Sequence, residues 1–271
     1  MSRHRVGRRQ LVRVAETLSD RDWALLASLA KHRFLTTRHI ETLHFHSHAS
    51  PLSAARAARR VLARLHQQRI VTHLDRRVGG VRAGSASYVW TLGPVGDRML
   101  RRRQGEDRSR RRVYEPSATF LDHTLAVADA HVALLQAERD GVLELVTVEI
   151  EPACWRTYLG AAGQTVTLRP DMYVVTAAGE FEDSWFIEVD RGTEHLPTLL
   201  DKCRAYAAYR ASGREQAERG VFPRVVWSVP DQRRYERLNA ALDNTHSIDR
   251  ELFSVVLSDE LVALLATGDS P

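Results

Sequence analysis

Two short acidic stretches carry the side chains best suited to chemistry. Arg169-Pro170-Asp171 ends in one carboxylate, and Phe186-Ile187-Glu188-Val189-Asp190 supplies two more. In an extended strand, alternation puts Glu188 and Asp190 on one face and turns Ile187 and Val189 to the other. With Asp171 on a neighbouring strand, three carboxylates converge. They repel one another unless a cation sits among them, and a hard ion such as Mg2+ or Mn2+ is the natural occupant. A metal held in this way can activate water and stabilise charge on a phosphodiester oxygen. The plainer reading makes Asp190-Arg191-Gly192-Thr193 a strand end and helix cap, with Glu188 paired to Arg191 or Arg169.

The elements that must position these residues follow from the patterning of the second half. It reads as a helix over 120–139, strands over 143–151, 165–176 and 184–190, and a helix over 193–212. A strand over 224–229, a helix over 232–244, a strand over 253–258 and a short terminal helix complete it. The αβββαβ order predicts a mixed sheet flanked by helices. On the 193–212 helix, Leu196, Leu199, Leu200, Cys203 and Ala207 form a core face. His195, Lys202, Tyr206 and Tyr209 share a flank at helical spacing. Tyr206 and Tyr209 are open to two roles, nucleophile in a nicking reaction or packing and DNA stacking. His123, on the first helix of this half, reads as a core histidine or an edge member of the site.

The first half differs in charge. Residues 1–114 hold 25 Lys+Arg against 8 Asp+Glu, a balance of +17, while residues 115–271 balance at −12, giving +5 overall. Only Lys31 and Lys202 among the basic residues are lysines. That bias toward arginine also arises from base composition, so the information lies in the segregation. A field of this sign on one half favours a polyanion, with salt-dependent affinity. Ser19 and Asp22 are placed for a capping box ahead of a helix with Trp23, Leu26, Leu29 and Ala30 on one face. Thr36 or Thr37 starts a short second helix. A third, over 53–68, buries Ala54, Ala58, Val61, Leu62 and Leu65 and projects Arg56, Arg59, Arg60 and Arg64. Two strands joined at Gly79-Gly80 make a hairpin bearing Arg76, Arg77 and Arg82, and Pro94 opens a final helix. This is the winged helix-turn-helix order. A helix fits the major groove of duplex DNA, where arginines reach phosphates or guanine edges. Wing arginines add backbone contacts.

The second half resembles the PD-(D/E)XK nuclease superfamily, through Pro170-Asp171 and Glu188-Val189-Asp190 in the αβββαβ order. The resemblance implies Asp171 and Glu188 as metal ligands. The superfamily's lysine falls at Asp190 here, and Lys202 from the next helix can substitute as water-positioning or charge-stabilising group. Asp190 then becomes a further ligand or a supporting carboxylate. Nearly the full chain also resembles the replication-relaxation family, associated with mobile-element and plasmid DNA. The matching residues are Phe120, His123, Leu125 and Val127, then Arg169-Pro170-Asp171, the stretch from Phe186 to Glu194, and Lys202 with Tyr206.

These readings together predict a two-domain α/β protein. A winged-helix DNA-binding domain spans 15–103, a polar linker 104–118, and a restriction-endonuclease-like mixed-sheet domain 119–271. The expected activity is that of a Mg2+- or Mn2+-dependent DNA nickase or endonuclease of a plasmid or mobile element. The alternative is a non-catalytic winged-helix regulator or accessory factor with an inactive nuclease-like scaffold. A protein-interaction adaptor with an acidic docking half is a weaker third. Duplex DNA is the expected partner, and a homodimer and the replication or conjugation machinery are open expectations. No run reaches the ~18 apolar residues of a membrane span, and no signal core follows the basic N-terminus, so a cytoplasmic location is expected. Cys154 and Cys203 make no disulfide framework. His44, His46 and His48 suggest a metal cluster or a relaxase-type pair, but their place at a helix end favours solvent or phosphate contact. Gly79-Gly80 lacks what a phosphate loop requires.

Overall fold

The computed structural model describes residues 7–78, 87–105, 115–178 and 180–268. It divides into two compact units, Met1–Val132 and Ala133–Pro271. None of the helices among the described residues is long and apolar enough to cross a membrane.

The first unit contains α1 (Arg8–Glu16), α2 (Asp20–His32), β1 (Leu35–Thr36), α3 (Thr37–His44) and α4 (Pro51–Gln67). After them come β2 (Val71–Val78), β3 (Ser87–Leu92), α5 (Pro94–Gln104) and the beginning of α6 (Ala118–Arg139). Helix starts are set by local chemistry. The Ser19 hydroxyl accepts from the Asp22 amide, and the Asp22 carboxylate accepts from the Ser19 amide at 2.9 Å, so two orphan donors of the first turn are satisfied. Thr36 with His39, and Ser50 with Ser53, repeat the arrangement at α3 and α4, and Pro51 presets the first turn of α4. The strands pair antiparallel in the order β1-β3-β2. Leu25, Leu26, Leu29, Leu35, Ile40 and Leu62 are buried in the core that these elements share. Gly93 and Gly96 let α5 begin against the backbone entering β2. A Cβ at these positions would lie 2.3 Å from the Arg69 carbonyl oxygen and 2.2 Å from that of Ile70, respectively.

The start of α6 packs within this unit. Leu121 and Leu125 meet Phe34, Leu74 and Val89, and Ala128 joins the main core. The sequence reading places the unit boundary in the 104–118 segment, while the contacts divide the chain inside α6. Helix α1 and strand β1 have no counterpart in the sequence reading.

The second unit is built on a five-stranded mixed sheet in the order β10-β9-β8-β7-β4. Its strands are β4 (Glu144–Ile150), β7 (Met172–Ala178), β8 (Phe181–Val189), β9 (Arg224–Val229) and β10 (Phe253–Leu257). β4, β7 and β8 pair antiparallel, whereas β8, β9 and β10 are parallel. A separate hairpin joins β5 (Arg156–Leu159) to β6 (Thr165–Leu168). The strand expected over 165–176 is therefore two strands, interrupted at Arg169-Pro170-Asp171. Pro170 has no amide to donate to a ladder. Helices α7 (Leu196–Ala211), α8 (Arg214–Arg219), α9 (Gln232–Asp243) and α10 (Leu261–Thr267) complete the unit. Trp185 to Val189 in β8 are all buried, as a central strand covered on both faces requires. The largest core cluster gathers Tyr173 and Phe186 from the sheet with Leu199, Cys203, Tyr206 and Tyr209 from α7.

Candidate functional site

The β7–β8 register brings the first two sequence candidates together. Met172 lies opposite Ile187, so the next pair along the ladder is Asp171 and Glu188. Residues directly opposite in an antiparallel pair project to one face. Both carboxylates thus share a face with Tyr173 and Phe186, under α7. Glu188 is fully buried, and its two oxygens accept from the Lys202 ammonium and the Tyr206 hydroxyl. Asp171 is 6% exposed and accepts from the Val189 amide at 2.7 Å. The Lys202 ammonium also lies 5.9 Å from the centre of the Trp227 ring. Asp171, Glu188, Lys202 and Tyr206 therefore form one cluster.

Its electrostatics follow from burial. Loss of water pushes the Glu188 carboxyl up, against the pull of Lys202. Burial alone would lower Lys202, but the charges of Glu188 and Asp171 and the bond to Glu188 hold its ammonium above the ordinary value. Lys202 keeps 31% of its side chain exposed, and Tyr206 donates to the second oxygen of Glu188. Both features stabilise the ammonium–carboxylate form of the pair. Burial, followed by the charge of Glu188, raises the Tyr206 phenol well above its usual value. A buried phenol held protonated as a donor is a packing and hydrogen-bonding group. Tyr209 is likewise buried and donates to Glu215.

Asp190 belongs to a different set of contacts. It follows the end of β8, and its carboxylate accepts from the guanidinium of Arg234 and from the Gly192 amide at 2.9 Å. Arg234 also donates to the Glu194 carbonyl at 2.8 Å, and both side chains of the ion pair are buried. Asp190 thereby ties the loop after β8 to the first turn of α9.

These arrangements decide how well the residues suit a divalent cation. Asp171 and Glu188 have the right chemistry and a common face. However, both Glu188 oxygens are engaged, Asp190 is clasped by a guanidinium, and Asp171 binds a backbone amide. Among the described residues, no group of three His, Cys, Asp or Glu side chains could hold a metal ion. The donor set as arranged does not fit Mg2+ or Mn2+, because the Lys202 ammonium and the Tyr206 hydroxyl already take both Glu188 oxygens. The three-histidine segment fares no better as a cluster. His44 bonds Ser28 at 3.0 Å, and His48 packs against the Phe45 ring.

One charged network is absent from the sequence reading. Glu215 is fully buried beside the Tyr209 hydroxyl, with Arg156 at 3.3 Å and Arg219 at 3.2 Å. Arg156 also donates to Glu149 at 3.0 Å, and the Tyr173 ring faces both guanidinium groups at 4.7 and 4.5 Å. The i,i+4 spacing of Glu215 and exposed Arg219 is a local feature, but the contact of buried Glu215 with Arg156 from the β5–β6 hairpin is not.

The expected DNA-binding residues lie in the first unit. Arg56, Arg59 and Arg60 are exposed on α4, opposite buried Ala58, Leu62 and Leu65. Arg64 is partly exposed and is bound to the buried Asp22 at 2.6 Å. Burial disfavours the charged form of Asp22, but the bonds from Arg64 and Ser19 outweigh it and hold its carboxyl below the usual range. Arg76 and Arg77 lie on β2, where their side chains are outside the described set, and Arg82 is outside the described residues altogether. Gly79-Gly80 also falls there. His32 and His131, both buried, meet ring to ring, with Nδ1 of His131 2.9 Å from Nε2 of His32. His39 meets Asp129 at 2.6 Å.

Comparison with known proteins gives one match. The replication-relaxation family model covers residues 26–225, which include α4 and every member of the Asp171–Glu188–Lys202–Tyr206 cluster. No curated protein and no solved structure matches the chain. The chain belongs to the replication-relaxation family.

Proposed function

We propose that this protein is a DNA-binding factor acting in replication or relaxation of plasmid or mobile-element DNA. In this reading the first unit is a winged helix-turn-helix module that holds duplex DNA. The second is a restriction-endonuclease-like domain that serves as a scaffold. The observation that carries the proposal is the row of exposed arginines on α4, in the half of the chain with a +17 charge balance. The order α2, β1, α3, α4, β2, β3 supports the winged-helix assignment. A helix bearing Arg56, Arg59 and Arg60 on its outer face can enter a major groove while Ala58, Leu62 and Leu65 anchor it to the core. The guanidinium groups form bidentate contacts to phosphate or guanine. The family's association with replication and relaxation makes DNA the natural polyanion.

A metal-dependent nickase or endonuclease is the second reading, favoured by the placement of Asp171 opposite Glu188 with Lys202 above them. Saturation of Glu188 by Lys202 and Tyr206 weighs against it. Two measurements on the full chain separate the readings. Replacing Arg56, Arg59 and Arg60 together by Ala should weaken duplex binding on the order of a hundredfold and reduce the slope of log K against log salt by about 3. Unchanged affinity would sink the DNA-binding assignment. Supercoiled plasmid incubated with Mg2+ or Mn2+ should remain supercoiled. Nicked or linear product that disappears in Glu188→Gln would establish the nuclease instead.

A further inference from the structure

The outer face of α4 carries one side chain that phosphate contacts do not use. Leu52, Arg56, Arg59, Arg60 and Ala63 are all exposed. Their spacing, i, i+4, i+7, i+8 and i+11, puts them on a single stripe of the helix. Leu52 heads the stripe and is 72% exposed, the most of any large apolar side chain among the described residues of the first unit. Neither the helix start nor the core accounts for it. The start of α4 is secured by Ser50 and Ser53, whose hydroxyls accept from each other's amides at 3.2 and 3.1 Å, and by Pro51 in the first turn. The core side of the helix is formed by Ala58, Leu62 and Leu65. Residues in the N-terminal part of a groove-bound helix are the ones that reach base edges. In the major groove every base pair offers hydrogen-bonding atoms, and of the four bases only thymine adds an apolar group, its C5 methyl. An isobutyl side chain has no hydrogen bond to offer, so the methyl is the base feature it can recognise. Contact between the two also takes Leu52 out of water. One turn further along, about 6 Å, Arg56 is suited to a guanine edge or a phosphate.

We infer that Leu52 reads a thymine methyl group in the major groove, as a specificity-determining residue at the head of a helix whose arginines supply affinity. The inference rests on the DNA-binding role proposed above and specifies a base that this role selects.

The test uses the full chain. Duplexes are selected by binding from a randomised pool, and each thymine of the selected sequence is then replaced in turn by deoxyuridine, which lacks only the methyl. At one position or more the parent chain should lose about fourfold in affinity, the worth of one buried methyl-sized group. Leu52→Ala should bind the thymine and deoxyuridine duplexes equally at that position. It should keep the parent's salt dependence, because no charge has been removed. Leu52→Met, of similar volume, should retain the preference for thymine. Leu52→Ala should melt at the parent's temperature, since the side chain is exposed. A thymine preference that survives in Leu52→Ala would overturn the inference and leave DNA binding standing. The same holds for a selected sequence that accepts deoxyuridine everywhere or contains no thymine, and for binding that selects no sequence. Failure of the parent chain to bind the pool would overturn the DNA-binding proposal and this inference together.

Discussion

In the first unit Arg56, Arg59 and Arg60 stand in solvent. In the second, Arg234 and Arg156 are almost wholly buried and clasped by Asp190, Glu149 and Glu215. The same side chain thus does opposite work. An exposed guanidinium contributes little to the stability of its own fold and keeps its charge available to a partner. A buried one has lost its water and depends on the carboxylate beside it, so removing either member strands the other. The −12 balance of residues 115–271 includes buried ion pairs such as Arg234–Asp190, whereas Arg56, Arg59 and Arg60 of the basic half are exposed. Net charge suggested a basic and an acidic half. The contacts add that, among the described residues, α4 of the basic half sets three exposed guanidinium groups close together, Arg56, Arg59 and Arg60.

The largest expected effect tests the buried side of this contrast. Arg234→Met should destabilise the second unit by about 3–5 kcal/mol, because Asp190 is left buried without its cation. Arg60→Met should cost no more than about 0.5 kcal/mol. Urea denaturation measures both, and comparable losses would erase the distinction. A somewhat smaller loss of about 3 kcal/mol is expected for Lys202→Met, which leaves Tyr206 as the remaining partner of Glu188. This variant also sharpens the account of the acidic cluster. With the ammonium gone, Mn2+ should raise the melting temperature of the variant and leave that of the parent unchanged. An equal response in both would show that Lys202 does not hold the place of a cation.

The smallest expected effect is a pH dependence in the first unit. Burial, reinforced by the charge of Lys31, lowers His32 to about 3 and His131 to about 2, from an ordinary value of 6.5. As pH falls below about 6.5 the unfolded chain takes up protons that the folded pair refuses. Stability from the neutral pair is therefore present above that pH and declines progressively as pH drops toward 3. Between about pH 7 and pH 6 the two rings together should account for about 1 kcal/mol. Hydrogen exchange of the α2 amides across that range should follow this slope, and His131→Phe should flatten it. A slope unaffected by the substitution would assign the dependence to other groups.

Much of this organisation was legible in the sequence because it is written in local patterns. The Ser19–Asp22 box, the apolar stripe of α4, strand β9 and the alternation around Glu188 need only neighbours a few residues away. Strand β1 was not legible, since two residues carry no period and exist as a strand only by pairing with Trp90 and Val89. The break between β6 and β7 falls at Arg169-Pro170-Asp171, a short interruption between two stretches of apolar and β-branched residues that read as one strand. Among the site residues, Asp171, Glu188 and Lys202 could be brought together from spacing and fold order. The partner of Asp190 could not, because Arg234 lies 44 residues away on another helix. The commitment of Arg64 to Asp22 was hidden for the same reason.

That last bond has a geometric consequence for the basic helix. Arg56, Arg60 and Arg64 follow one another at four-residue intervals, a ridge advancing about 6 Å per step. Arg64 at one end is anchored to the carboxylate that also caps α2, so the ridge is a ruler with its zero mark fixed on a neighbouring helix. The core contacts of Ala58, Leu62 and Leu65 hold the helix itself, so altering Asp22 would release the guanidinium at the end of the row while leaving Arg56 and Arg60 where they are.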